Sequence, residues 1–259
     1  MSNSNKEKNL NKEDVLSQIR NSVTYFQSVL QQFVDSDNSH NLKRASLLSY
    51  WINDYASYIK NEDSFNPNYL LKYKQKDIVQ INFGYRLGRE LGGLHYGVVL
   101  DKNNSKSSDV ITVIPLTSLK PNFKETFFKT QLKDGIYDLA LVKYKNIMLK
   151  LGKEIPVLMS KRDLFIDNYK KLSEDELEEF EKINNRIQEI SKMVYNISND
   201  LKTFEKLNHG TVADVGQIVT VSKRRINNPK TTSDFLYNIS LNNDDFKNIA
   251  EKLKRNFLK

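Results

Sequence analysis

Cysteine is absent, so the chain has no disulfide frame, no thiolate nucleophile and no Cys-ligated zinc, and its stability must come from packing. Its 259 residues include one tryptophan, five prolines, nine glycines and three histidines. Nowhere do about 18 consecutive apolar residues occur, which excludes an ordinary membrane-spanning helix. The opening residues MSNSNKEKNLNKED carry no apolar segment of the kind a secretory leader needs. These absences lead us to expect a cytoplasmic protein with no membrane attachment.

What is present is positive charge: 40 Lys plus Arg against 32 Asp plus Glu, a formal net charge of +8. The balance suits a polyanionic partner. It is spread along the chain without a basic tail, so a lysine-solvated surface fits it equally well. The length allows one large domain, or a compact core with an appended module.

Residues 12–60 repeat apolar side chains at helical spacing, from Val15, Leu16, Ile19 and Val23 through Trp51, Ile52, Tyr55 and Ile59. This predicts a helical hairpin turning at SDNSHN, residues 36–41, with a linker at Asn66-Pro67-Asn68. The period then changes from helix to strand in KQKDIVQINFGY, residues 74–85, and HYGVVL and DVITVIPL follow as short β-branched runs. Residues 119–172 mix apolar and charged residues without one clear period; one or two strands are expected there, including VLMSK. From Ser173, a capping box with Glu176 and apolar residues from Leu177 to Phe204 predict one long helix ending near Asn208-His209-Gly210. A last strand is expected over residues 211–226, followed by a C-terminal amphipathic helix carrying Phe246, Ile249, Leu253 and Phe257.

The stretch GRELGGLHYGVVLDK, residues 88–102, concentrates glycine and histidine between two strand-like runs. Gly92 and Gly93 permit a reversal and a close backbone approach, or form a simple turn. No helix follows them, so this is no dinucleotide fingerprint. Arg86 and Arg89 precede them with planar donors suited to phosphate oxygens. His95 titrates near neutrality and can serve as general acid or base, or be a structural residue leading a strand. Thr117 and Ser118 end the third strand with hydroxyls that can orient a phosphate or simply cap the strand. Lys223, Arg224 and Arg225 close the last strand and can track a nucleic-acid backbone or lie solvated. The strand-bearing segments hold no clustered carboxylates or paired histidines at ligand spacing, so no metal and no cofactor are expected.

The blocks KDIVQINFGYRLGRELGG (76–93), HYGVVLD (95–101), VITVIPLTS (110–118) and GQIVTVSKRRI (216–226) occur in an order that resembles the MazF/PemK family of toxin endoribonucleases from type II toxin-antitoxin systems. The resemblance implies an α+β fold: a small SH3-like β barrel (MazF/PemK/CcdB-like), with an N-terminal helical hairpin, a long inserted helix and a C-terminal helix added here. The expected division is a hairpin extension over residues 1–65 and a toxin domain over 70–259, with a helical insertion at about 173–208. The family's activity is metal-independent, sequence-selective cleavage of single-stranded RNA to 2′,3′-cyclic phosphate and 5′-hydroxyl ends. A homodimer, an mRNA substrate and a cognate antitoxin are implied with it.

By position, Thr117 matches the family threonine that acts in cleavage with an arginine. The family pattern places Arg-Pro after the paired glycines, whereas this chain has His95-Tyr96. Either His95 carries the proton transfer while Arg86 or Arg89 supplies fixed charge, or the site only binds. Gly92, Gly93, Ser118, Gln217, Lys223, Arg224 and Arg225 are the expected substrate contacts. The rival reading is a non-catalytic barrel that binds nucleic acid or a protein target such as a topoisomerase, as CcdB-like toxins do. The added helices are expected either to pack as a module beside the barrel, or to cover its groove or serve as a docking surface.

Overall fold

The computed structural model describes residues 11–205 and 207–258, so residues 1–10 of the polar opening fall outside the described residues. The chain divides into two compact units, residues 1–64 and 65–259.

The first unit is a helical hairpin of α1 (Lys12–Asp35) and α2 (Ser39–Lys60). Each helix begins on an asparagine whose side chain accepts a backbone N–H: Asn11 from Glu13 and Asn38 from His40. The chain reverses through Asp37, whose φ of 47° lies in the left-handed region that Asp tolerates. Arg44 lies 4.3 Å over the Phe33 ring, and Trp51 stacks on Tyr55.

The second unit is built on a seven-stranded sheet of β1 (Ile78–Asn82), β2 (Leu94–Val99), β3 (Val110–Ser118), β4 (Lys129–Gln131), β5 (Thr211–Asp214), β6 (Val219–Ser222) and β7 (Ile226–Asn228). The strand order is β4-β5-β3-β2-β1-β7, with β6 also paired to β3, and every pairing is antiparallel. Alternation along the strands sends Ile78, Val98, Ile114, Leu116 and Ala213 to one face and Val79, Ile81, Val99, Ile111 and Val113 to the other. Both faces are covered, the first by helices and the second by the segment around Tyr73 together with Phe83 and Ile226.

The mixed helix and antiparallel sheet agree with the α+β expectation, but the closed barrel does not appear. Among the described residues β4 and β7 do not pair, and the sheet stays open. These outer strands are only three residues each, so they offer few ladder groups to a further partner.

Two further expectations are corrected. Of the one or two strands expected over residues 119–172, β4 forms, but VLMSK lies in a helix, α3 (Ile136–Asp167), which pairs with α4 (Glu174–Glu205). The inserted element is therefore a helical hairpin and not a single helix. It is antiparallel: Tyr144 meets Asp200, Glu154 meets Arg186 and Phe165 meets Phe180. On α4, Ile183, Ile190, Ile197 and Phe204 are buried at seven-residue spacing, and the Ser173–Glu176 capping box is formed. The expected strand over 211–226 breaks into β5, β6 and β7. Short turns separate them, seeded where the Asp214 and Ser222 side chains accept the N–H groups of Gly216 and Arg224.

A C-terminal helix, α5 (Asn243–Phe257), closes the unit, and its first turn fixes the approach to α3. The buried Asp245 carboxylate accepts the backbone N–H groups of Lys133 and Asp134 at 2.8 and 3.1 Å, and the Asn242 amide at 2.9 Å. Replacing Asp245 by Ala leaves these donors without partners, and buried unsatisfied donors cost about 1–3 kcal/mol each. Asp245→Ala is expected to lower the unfolding free energy by about 2–3 kcal/mol, read as a lower urea midpoint at unchanged slope.

Candidate active site

Tyr96 pairs with Leu116 across β2 and β3, so one step further His95 and Thr117 stand opposite each other at the end of the ladder. Both line a pocket of about 230 Å³. Its other walls come from Tyr96 and Ser118, from Ile136 at the start of α3, and from Leu207, Gly210 and Thr211 where the chain re-enters the sheet. The helical insertion thus supplies part of the wall: Thr211 Oγ1 accepts the N–H of Ile136 at 3.2 Å, tying the first turn of α3 to β5. Gly210, with φ at +85°, makes the bend into β5.

The His95 imidazole is half-buried, and that burial moves its pKa below the usual 6.5. The carbonyls of Gly92 and Leu116 face the ring and partly oppose the shift. At neutral pH the ring is uncharged and able to accept a proton. Among the described residues, Thr117 and Ser118 make no side-chain hydrogen bond within the protein, so their hydroxyls are open to a ligand.

The glycines set the entry to this site. Phe83 N–H donates to the Gly93 carbonyl at 2.8 Å and Gly93 N–H to the Gly84 carbonyl at 2.7 Å, closing the neck of the loop over residues 84–93. A Cβ on Gly92 would lie 2.7 Å from the Gly84 carbonyl oxygen, and Gly93 sits at φ +84°. Gly92 and Gly93 therefore bring two parts of the backbone together beside His95.

Residues 74–191 match the family model of the PemK-like, MazF-like toxin of type II toxin-antitoxin systems. That segment is thus similar to this toxin family over somewhat less than half of the chain. The match takes in β1–β4, α3 and the first part of α4, and stops before β5–β7 and the fourth sequence block. No curated protein matches the chain.

The side chains that line the pocket include neither arginine nor lysine. Arg86 Nε donates to the Phe83 carbonyl at 3.2 Å, and its guanidinium stands 3.8 Å from Glu90, a partly exposed pair of little strength. Arg225 reaches the same Phe83 carbonyl at 3.4 Å, so two guanidinium groups converge at the loop neck. Arg89 is exposed. Arg224 lies 4.8 Å over the Phe65 ring.

Two expected substrate contacts are spent internally. The Lys223 ammonium is buried and donates to the Ser105 carbonyl at 2.8 Å, with its pKa lowered by desolvation. It anchors the turn between β2 and β3 and cannot track a strand. Gln217 ties the loop over residues 84–93, donating to the Arg89 carbonyl and accepting the Leu91 N–H, each at 3.3 Å. The sequence reading missed Thr211, Gly210, Leu207 and Ile136. These lie far from His95 along the chain, and only the capping chemistry of the Gly-Thr step could have marked Thr211. Among the described residues no three His, Asp or Glu side chains gather as a metal set would require.

Two measurements check this geometry. The unfolded chain takes up the His95 proton near pH 6.5 and the folded protein only at lower pH, so the unfolded state binds more protons between those values. Folding stability should therefore be level above about 6.5 and fall as pH drops through the window below it; His95→Gln should remove that part of the fall, and NMR titration should place the His95 midpoint under 6.5. Gly92→Ala should lower stability by about 1–3 kcal/mol in chemical denaturation, because the Gly84 carbonyl must move.

Proposed function

We propose that this protein is a toxin that cleaves single-stranded RNA, such as mRNA, at selected sequences without a metal ion. What carries the reading is the placement of an uncharged His95 opposite Thr117 in one pocket, in a segment similar to a toxin family. In this reading the neutral imidazole of His95 takes the proton of the ribose 2′-hydroxyl, whose oxygen attacks the adjacent phosphorus. The O2′–P bond forms and the P–O5′ bond breaks. A 2′,3′-cyclic phosphate remains on one fragment, and the leaving oxygen takes up a proton to become a 5′-hydroxyl. The Thr117 hydroxyl donates to a non-bridging phosphoryl oxygen, with Ser118 beside it. Arg86 and Arg225 at the loop neck, and Arg89 within the loop, supply fixed positive charge to the phosphates.

The toxin domain of this reading spans residues 70–259, and residues 1–65 are a helical extension. The protein acts in the cytoplasm, as a homodimer, and is neutralised by an antitoxin. Among the described residues, no helix is long and apolar enough to cross a membrane. One observation favours a second reading: no arginine lines the pocket, as a site that only holds nucleic acid or a protein target such as a topoisomerase would allow.

Incubation of the purified full chain with a long unstructured RNA in EDTA decides between them. Discrete cuts with cyclic phosphate and 5′-hydroxyl ends are expected, with Thr117→Ala and His95→Ala each at least 100-fold slower. Intact RNA, or cleavage restored only by magnesium, would overturn the mechanism. Activity should also decline on acidification, as His95 becomes protonated.

A further inference from the structure

The segment leaving Thr117 and Ser118 ends in Phe127 and Phe128, two neighbouring phenylalanines that are 56% and 42% exposed. Their rings meet edge to face at 5.1 Å, and Phe257, 53% exposed near the end of α5, lies 6.0 Å from Phe128. Three large rings gathered in solvent are costly, and such patches mark contact sites. The main chain beneath them is firmly held. The buried Lys252 ammonium donates to the carbonyls of Thr126 and Lys129 at 2.7 and 2.6 Å, and the Asn256 amide donates to the carbonyl of Phe127. The backbone is thus fixed to α5 while its rings stay outside, the arrangement of a preorganised surface.

Charge around the rings is mainly positive. The Arg255 guanidinium lies 5.6 Å over Phe127, and Lys124 is exposed nearby in the chain. Lys129 is paired with Asp214 at 3.4 Å, and the Glu125 carboxylate is engaged by Thr130 and the Gln131 N–H. The patch is also linked through packing to the loop that precedes His95. Phe128 lies against Gly216, where a Cβ would come within 3.0 Å of the ring, and its carbonyl accepts the Val215 N–H. The next residue, Gln217, holds the loop that carries Arg86 and Arg89 and ends at the Gly92 carbonyl facing His95.

We infer that Phe127, Phe128 and Phe257, with Arg255, form a stacking platform for the bases of single-stranded RNA running beyond the cleavage pocket. This rests on the nuclease reading for the identity of the strand. Aromatic faces accept any base, and the cations meet the backbone, so the platform adds affinity without reading sequence. Substrates extending across it are held more tightly than short ones ending at the pocket.

The test uses the full-length protein and a fluorescein-labelled, 2′-O-methyl RNA of about a dozen nucleotides, which lacks the attacking hydroxyl and reports binding alone. Phe127→Ser with Phe257→Ser should weaken binding about tenfold or more, with thermal unfolding unchanged. Replacing the bases over the platform by abasic sites should weaken the wild type alike and the variant little. Equal affinity of wild type and folded variant, or no binding by the wild type, would overturn the platform. So would a change of oligomeric state in the variant, which would assign the rings to a contact between copies. If the variant fails to fold, Arg255→Ala and the abasic oligonucleotide carry the test, and an unchanged affinity in both overturns the inference. The outcome is separate from cleavage: binding lost in the variant while RNA stays intact would keep the platform and remove the nuclease.

Discussion

Strand β3 is the member on which the rest of the second unit depends. Along one edge it pairs with β2 through Leu116–Tyr96 and Val113–Val99, while its other edge is shared, with β6 beside Val110–Val113 and β5 beside Leu116–Ser118. Pro115 stands at the change of partner, where a residue without an N–H leaves no ladder donor unmet. Opposite it lies Gly97, whose Cα sits close under Val113 and leaves little room for a side chain. The same strand that organises the sheet therefore ends at Thr117 and Ser118, and the rigidity of its pairing is what gives the hydroxyls a defined position against His95.

The chain's positive charge is less available than its composition suggests. Lys223, Lys252 and Lys143 each place an ammonium on backbone carbonyls: those of Ser105, of Thr126 and Lys129, and of Phe235. Burial lowers the pKa of Lys143 and Lys223, so these cations act as structural donors to loops that have no ladder to satisfy them. At the neck of the loop over residues 84–93, two further cations, Arg86 and Arg225, share one carbonyl. Folding thus turns part of the chain's positive charge into internal pins.

The helices illustrate how far periodicity can be read. α1, α2, α4 and α5 were legible because each has apolar residues on one side and polar residues on the other, with Asn or Ser caps at the start. α3 was hidden because it is apolar on several sides, with Leu149, Val157 and Leu164 exposed while Tyr144 and Leu151 are buried, and because it contains Gly152 and Pro156, residue types that disfavour a helix interior. A helix without a single apolar stripe looks the same in sequence as a run of irregular strands. Tyr144, whose hydroxyl bonds Asp200 of α4, shows that its helical state is stabilised from outside the segment.

The sequence by itself determined most local elements and the resemblance, because strand alternation, caps and the paired glycines are properties of neighbouring residues. It marked His95 and Thr117 by the blocks in which they stand. Only the tertiary structure decided that the sheet stays open, that the insertion is a hairpin, that Lys223 faces inward and that Gln217 is bonded to the loop over residues 84–93. It alone brought Ile136, Gly210 and Thr211 to the pocket wall. The reason is physical: burial and convergence depend on which surfaces are pressed together by packing, and residues more than 70 positions apart carry no mark of the partner they will meet.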